Sequence, residues 1–361
     1  MLSMGASMSM VGLFMALSGY NGLISILSQP FFGWLSDQKG RKPLITFGNI
    51  QFVLALSFLT MVSTFKNWLF FIPALISLGL MNVINPAMNA AIAESVDSKE
   101  RSIAYSTIMF YNVLPMILIS AFAGLLSDTI GFSGVFLIGT ILQIINTLLT
   151  FYFIQETLEK KIDHPLKNMK KSLRMIFTPE RKLHKFILII ALDAFFWGVS
   201  GDILSGLLSE TYGFSGFQLG IMWSVLALSW AGSQLFMGKF MQKSGCKRLL
   251  VFSELIGIVL MMGWLSADQF EIFTLLQILW GIVISSWVPA MNTILANQTK
   301  QETRAEELGK FAAFRGLIAF SAPYIGGFLY DTAGFKAPIT FGVIGLVITL
   351  VFINLLIKDT E

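Results

Sequence analysis

Four ionisable residues lie inside long apolar stretches of the sequence: Asp193, Asp202, Glu254 and Arg315. A charged side chain at membrane depth is costly, so such a group marks a candidate site for ion or substrate binding. Asp193 and Arg315 each lie about two helical turns from the nearest basic end of their stretch. We expect Asp193 to be a proton or substrate-cation site, with Arg315 as its partner or as an anion contact. A purely structural ion pair is the alternative.

Asp202 and Glu254 are weaker candidates for an ion or substrate site. Asp193 and Asp202 are separated by nine residues, which is about 900° of rotation in a helix and places them on opposite faces. They are therefore not expected to point into one cavity. Asp202 and Glu254 are expected to reach towards the membrane interfaces.

Polar and aromatic side chains recur on single faces of several apolar stretches and could line a pathway for a solute. Each could equally make an interhelical hydrogen bond worth about 0.6 kcal/mol. The candidates for substrate contact are Asn21, Asn82, Asn85, Asn89, Tyr111, Asn112, Trp223, Trp230 and Asn292.

The composition places these residues in a membrane protein. Of 361 residues, 55% are hydrophobic and 13% are charged, about half the roughly 25% charged residues of a soluble domain. This composition argues against a water-soluble globular enzyme. Eleven stretches reach the roughly 20 apolar residues that cross a bilayer, and they must be helical because lipid leaves unpaired backbone groups unsatisfied. They are 9–33, 44–64, 68–93, 103–126, 134–155, 185–208, 215–240, 248–267, 270–297, 309–330 and 338–357.

The basic residues predict how the chain is oriented. If the connection 33–44 faces the cytoplasm, 22 of the 25 Lys and Arg residues fall on that side. We therefore expect a multi-pass protein of the inner or plasma membrane, with a cytoplasmic C-terminus and an external N-terminus. The basic connection 157–184 is either an amphipathic helix on the anionic inner leaflet or a solvated linker.

The two halves of the sequence resemble each other at an offset of 203 to 205 residues. Residues 33–42 match 238–247, and residues 124–132 match 327–335. The repeat predicts a five-helix bundle over 1–156, a linker over 157–184 and a six-helix bundle over 185–361. The helix over 185–208 has no counterpart, so we expect an N-terminal truncation or a start at an internal methionine. The upstream DNA should then encode one more apolar span in frame.

Residues 33–42 read G-W-L-S-D-Q-K-G-R-K. They resemble the G-x-L-x-D-x-x-G-R-K motif between the second and third helices of the major facilitator superfamily. Gly33 and Gly40 would allow close helix approach and a tight turn. Arg41 and Lys42 would anchor the loop at the inner leaflet. We expect Asp37 to pair with Arg41 or to cap a neighbouring helix.

The second half carries a weaker copy of this motif in which Gln242 replaces the acid, and its matching positions are Gly238, Gly245 and Lys247. Arg101 and Arg304 follow the fourth and tenth family helices at the same repeat offset. The resemblance implies an all-α polytopic fold of two pseudo-symmetric bundles, with eleven transmembrane helices that correspond to family helices two to twelve. It also implies that these residues and those of the first motif form a cytoplasmic gate. A plain topogenic loop is the alternative.

The sequence departs from several motifs of the family, and these differences leave the direction of transport open. Leu75 occupies the position where proton-coupled members of the family often carry arginine. The antiporter pattern G-P-x-x-G-G is absent from the fifth family helix, while an approximate copy lies at 322–327. Glu156 and Thr157 are the only trace of the sugar-carrier motifs.

The sequence lacks the residues that several other classes of function would require. His164 and His184 both lie in the predicted linker, and Cys246 is the single cysteine, so neither a disulfide nor a membrane metal site is expected. The phosphate-binding pattern of an ATP-driven pump is missing from the sequence. We expect no cofactor and no nucleic-acid partner.

The resemblance therefore implies a secondary active transporter that works by alternating access. We expect a monomer that moves a small organic solute coupled to protons, with efflux slightly favoured. The alternatives are import of a nutrient such as a sugar or an organic anion, and a non-transporting membrane sensor or inactive remnant.

Overall fold

The computed structural model describes residues 1–19, 22–96, 101–158, 184–298 and 304–357. These residues are almost entirely helical and contain no strand. The helices are α1 Met8–Ser18, α2 Leu23–Lys39, α3 Arg41–Phe65, α4 Phe71–Met81, α5 Ile84–Glu94, α6 Arg101–Phe153, α7 His184–Ser200, α8 Leu204–Tyr212, α9 Gly216–Ser244, α10 Cys246–Ser266, α11 Phe270–Gln298, α12 Arg304–Ala319, α13 Ala322–Ala333 and α14 Lys336–Leu356. The predicted all-α fold class is confirmed.

Nine stretches within the described residues are helical, long and apolar enough to cross a membrane. One of them, Tyr111–Phe153, is 43 residues long, about twice the length of a single crossing. It contains a non-helical residue, Gly131, at which α6 changes direction. Helix α9 adds a further 29 residues of continuous helix. The fold is therefore compatible with eleven spans, and that number stays a prediction.

Proline explains two breaks inside the predicted spans. Pro86 has no N–H to donate to the Asn82 carbonyl, and Asn85 N donates to that oxygen instead at 3.2 Å. The predicted span 68–93 is consequently divided into α4 and α5. Pro323 likewise cannot donate to Ala319, and the span 309–330 is divided into α12 and α13.

The chain forms two compact units. Unit 1 comprises 1–15, 112–125 and 176–361, and unit 2 comprises 16–111 and 126–175. Unit 1 has two apolar cores, one around Trp264 and Phe273 and one around Ile190 and Leu249. Unit 2 has a smaller core around Ile45.

Many large apolar side chains lie on the outside of these helices. Leu118, Phe153 and Leu355 are each about three-quarters exposed. In water such a surface would promote association, whereas lipid tails solvate it without cost. The outward-facing side chains therefore agree with a membrane-embedded fold.

The internal repeat is visible in the backbone. Gly40 and Gly245, which are 205 residues apart, have φ/ψ of 112°/163° and 82°/158°. Gly131 and Gly334, which are 203 apart, have 73°/169° and 77°/−174°. This region of backbone space is essentially restricted to glycine. The same glycine-dependent turn therefore joins two helices at both members of two equivalent pairs of positions.

Two further glycines permit close helix crossings in unit 1. A Cβ at Gly327 of α13 would collide with the main chain of Met8 in α1, and a Cβ at Gly124 of α6 would collide with the main chain of Gly216 in α9. Gly124 and Gly327 are equivalent in the repeat. Small residues let backbones approach in this way, and each crossing is a main-chain contact.

Candidate functional site

Arg41, the first residue of α3, is only 7% exposed and connects three helices of unit 2. Its Nη1 lies 2.5 Å from Asp37 Oδ1 near the end of α2, and its Nη2 lies 2.9 Å from Glu94 Oε1 at the end of α5. Nη1 also donates to Ser36 Oγ at 3.1 Å. The predicted Asp37–Arg41 pair is therefore present. Arg41, Asp37, Glu94 and Glu156 are called the Arg41 cluster below.

Glu156 caps the start of α3. Its Oε1 accepts a hydrogen bond from Arg41 N at 2.8 Å, and its Oε2 accepts one from Lys42 N at 3.2 Å. A carboxylate in this position satisfies N–H groups that have no partner within the helix, and its charge opposes the positive end of the helix dipole. Gly40 leaves the space for it, since a Cβ on Gly40 would collide with the Glu156 carboxylate.

Both glutamates of the Arg41 cluster are held in the ionised form. Partial burial alone would raise the pKa of Glu94, but hydrogen bonds from Arg41 and Thr157, together with the Arg41 charge, outweigh burial and lower it. For Glu156, burial is likewise outweighed by backbone hydrogen bonds, including those from Arg41 and Lys42, and its pKa is lowered. Glu94 therefore faces the Arg41 guanidinium as a carboxylate, and Glu156 caps the start of α3 as a carboxylate.

Sequence reasoning missed the two glutamates. Glu156 was visible only as the trace of a sugar-carrier motif, and Glu94 belongs to no motif. Topology could have identified them, because the predicted spans that precede Glu94 and Glu156 end at the same membrane face as Arg41.

The second copy of the motif has a different chemistry. Gly245 precedes α10 with the same backbone conformation as Gly40, and Lys247 Nζ donates to the Asn354 carbonyl at 3.1 Å near the end of α14. A lysine at a helix C-terminus interacts favourably with the free carbonyls there. The side-chain surroundings of Gly238, Arg101 and Arg304 lie outside what the structure describes.

Two acidic side chains are buried together in unit 1. Asp193 of α7 is 2% exposed and Glu254 of α10 is 1% exposed, and their carboxyl groups interact directly. With a rise of 1.5 Å per residue they lie about 14 and 12 Å from the starts of their helices, so the two groups share one level. The expectation that Glu254 reaches an interface is wrong, because α10 turns this residue into the packed interior.

Arg315 of α12 belongs to the same neighbourhood. Its Cζ lies 5.6 Å from the centre of the Trp287 ring, a cation–π distance, and its charge acts on Asp193. Trp287 in turn lies beside Glu254. The structure therefore places the predicted pair, Asp193 and Arg315, in one electrostatic environment. We call Asp193, Glu254, Arg315 and Trp287 the buried charge cluster.

Asp202 does not follow the helical geometry predicted for it. Helix α7 ends at Ser200, and Asp202 lies in the turn before α8 with an exposed side chain. The nine-residue rotation argument therefore does not apply across this break. The Arg315 charge acts on Asp202 as well as on Asp193.

Three tryptophans of unit 1 pack around the ring of a fourth, Trp280. The Trp280 centroid lies 6.1 Å from Trp197, 5.7 Å from Trp223 and 5.3 Å from Trp264. The predicted candidate Trp223 also donates from Nε1 to Ser205 Oγ at 3.0 Å. Sequence reasoning missed the other three tryptophans, which come from three different helices.

The remaining candidates differ in how far they are buried. Asn82 is buried and donates to the Leu78 carbonyl at 3.5 Å, at the long limit of a hydrogen bond. Asn21 lies outside the described residues. The half-buried candidates are Asn85 and Trp230, and the exposed ones are Asn89, Tyr111, Asn112 and Asn292.

A capping contact that was not predicted joins α1 to α13 in unit 1. Asp331 accepts hydrogen bonds from Met8 N at 3.0 Å and Ser9 N at 2.8 Å, and a further one from the Ser9 hydroxyl. Asp331 is the fifth residue of its glycine-to-glycine segment, as Asp37 is of residues 33–40. Both segments therefore contribute an aspartate to a junction between two helices, Asp37 through the Arg41 side chain and Asp331 through the first N–H groups of α1.

A duplicated helical fold with apolar outer faces, a buried charge cluster and a charged helix junction is that of a membrane transporter. The chain belongs to the Major Facilitator Superfamily, whose model matches residues 1–267 and 186–361. The chain is therefore a multi-pass membrane transporter, and the predicted family is confirmed.

Relatives and solved structures agree with this assignment. The chain is 25% identical over 327 residues to "Multidrug resistance protein MdtG" of Salmonella arizonae, covering 89% of this chain and 80% of that protein. It is 24% identical over 318 residues to the protein of the same name from Dickeya zeae, covering 87% and 77%.

Two solved structures share the fold at low sequence identity. The nucleoside transporter NupG superposes with a TM-score of 0.78 at 12% identity, covering 99% of this chain and 93% of that one. A D-xylose–proton symporter gives 0.75 at 14% identity, covering 100% and 91%. These likenesses establish the fold and leave the substrate open.

Proposed function

We propose that the protein exports small, amphipathic organic solutes in exchange for protons by alternating access. The observation that carries the proposal is the burial of Asp193 near Arg315 inside apolar helices, since charged groups at membrane depth serve ion or substrate movement. The multidrug resistance relatives, at about 25% identity, support export of organic solutes over import.

In this proposal the Arg41 cluster is part of a cytoplasmic gate. The predicted bundles 1–156 and 185–361 rock against each other, and the C-terminus lies in the cytoplasm. The two repeated motifs are expected to hold the junctions at the ends of their helices, the first through Arg41 and the second through Lys247. The ion pairs around Arg41 support a fixed junction at the first of them.

Proton coupling is assigned to Asp193. A carboxyl group can carry a proton through an apolar protein where a permanent charge would be too costly. Arg315 supplies the opposite charge when the proton leaves. The exposed Asp202, on which the same arginine acts, is a further acceptor on the path.

Flux in reconstituted vesicles with an imposed pH gradient tests the proposal. A fluorescent amphipathic dye should move against the proton gradient, and Asp193→Asn should abolish that movement. The exposed Glu271 on α11 gives the matched control, and Glu271→Gln should leave the flux unchanged. Gradient-driven uptake of a sugar or nucleoside in place of the dye would identify an importer. Absence of flux with every solute would favour a membrane sensor.

A further inference from the structure

We infer that Asp193 and Glu254 form a single proton-binding site that holds one proton between the two carboxyl groups. The inference deepens the proposed proton coupling and rests on it, because it gives that coupling a two-residue site. Glu254 is the new element, as neither the motif nor the polar stripes pointed to it.

The two carboxyl groups lack a hydrogen-bond donor. An ionised carboxylate only accepts hydrogen bonds. No described group is in hydrogen-bonding geometry with either Glu254 oxygen or with Asp193 Oδ1, all of which are buried, and the Trp287 indole N–H beside Glu254 is likewise unpaired. Since the two carboxyl groups face each other, a proton on either one supplies the O–H that donates to the other. One bound proton therefore satisfies an arrangement that two carboxylates cannot.

One bound proton also balances the charges of Asp193, Glu254 and Arg315. Two ionised carboxylates beside one guanidinium leave a net charge of −1, whereas one proton brings the cluster to zero. Two like charges held together at low dielectric repel strongly, so the pair favours the singly protonated form. Arg315 then balances the carboxylate that remains ionised.

The groups that face the pair leave few other sources of a proton or a charge. Helix α11 presents the Trp287 indole, and α12 presents Arg315. The described helix α14, which packs against both α7 and α10, carries no ionisable side chain beyond its first residue, Lys336. Asp202 interacts with the same arginine from the turn after α7.

The chemistry of the pair favours a proton over a metal ion. Hard cations such as calcium take six to eight oxygen ligands. Within the described residues no group of three or more His, Cys, Asp or Glu side chains could hold a metal ion. Two carboxyl groups flanked by an indole and a guanidinium suit a single hydrogen-bonded proton.

Infrared spectroscopy of the purified full chain in lipid bilayers tests the site without any transported solute. We expect a protonated-carboxyl band that disappears as the pH is raised. Carbon-13 labelling of aspartate and of glutamate, in separate samples of the unmodified protein, should each shift that band. This experiment needs no substitution, so a folding defect cannot obscure it.

Variants then test whether the proton belongs to the pair. Asp193→Asn and Glu254→Gln should each remove the band or change its titration, and the double variant should remove no more than one proton. Glu271→Gln should leave the band unchanged. Two independently titrating bands, one for each residue, would overturn the inference, as would a spectrum without a protonated-carboxyl band.

The vesicle assay separates the two proposals. Glu254→Gln should lose gradient-driven dye movement while retaining exchange of dye across the membrane without a gradient. If gradient coupling survives in Glu254→Gln and is lost in Asp193→Asn, the shared site is wrong and the proposed function stands. If no solute moves but the shared band is present, the proposed function fails and the proton site stands.

Discussion

Replacement of Gly40 by alanine should cost more than the same replacement at Gly245. Both glycines have positive φ with extended ψ, a conformation that strains an alanine by about 1–3 kcal/mol. At Gly245 the added Cβ meets nothing within 4 Å. At Gly40 it collides with the Glu156 carboxylate and displaces the cap of α3, a further loss of about 0.5–2 kcal/mol. The free energy of unfolding should therefore fall by about 1.5–5 kcal/mol in Gly40→Ala and by about 1–3 kcal/mol in Gly245→Ala.

Reversible unfolding in mixed detergent micelles measures this difference, with helix content followed by circular dichroism. A double-mutant cycle with Glu156→Ala isolates the cap, because without the carboxylate the Gly40 substitution should cost only its backbone strain. The reasoning is refuted if the two glycine variants lose equal stability, or if the Gly40 and Glu156 substitutions are additive.

Three further predictions follow from the described contacts. The lowered pKa of Glu94 means that its contribution to stability is complete above the ordinary glutamate pKa and is lost as the pH falls through the folded value, so Glu94→Gln should destabilise at neutral pH and converge with the unmodified protein in acid. Unfolding free energies across that range would check this. Gly326→Ala should force α13 away from the Val199 carbonyl and lower the unfolding midpoint, while Gly232→Ala on α9, with open space around it, should be neutral or stabilising. Asp331→Ala should cost about 0.5–2 kcal/mol and speed amide hydrogen exchange in the first turn of α1, and unchanged exchange there would contradict the capping role.

Local sequence patterns were sufficient to predict much of the fold. The apolar stretches located the helices because a membrane span depends on the composition of one continuous segment. The repeat predicted equivalent positions, and the shared backbone of Gly40 and Gly245 agrees with it. The Asp37–Arg41 pair could also be predicted from the sequence, since its two residues are only four positions apart.

Long-range partners were beyond the reach of local patterns. Glu156 is 115 residues from Arg41, and Glu94 is 53 residues away. Glu254 was misplaced because the sequence does not show which face of its helix is turned into the packed interior. The break after Ser200 falls in an apolar stretch that contains no proline, and hydropathy does not report it.

The contact between α1 and α13 restricts how these helices can move. At Gly327 the backbone of one helix lies directly against that of Met8 in the other, so no side chain stands between them to change rotamer and absorb a displacement. A gradual slide would have to deform peptide groups. Rotation about the crossing or complete parting of the two helices keeps every peptide intact, so these are the two motions that the junction favours.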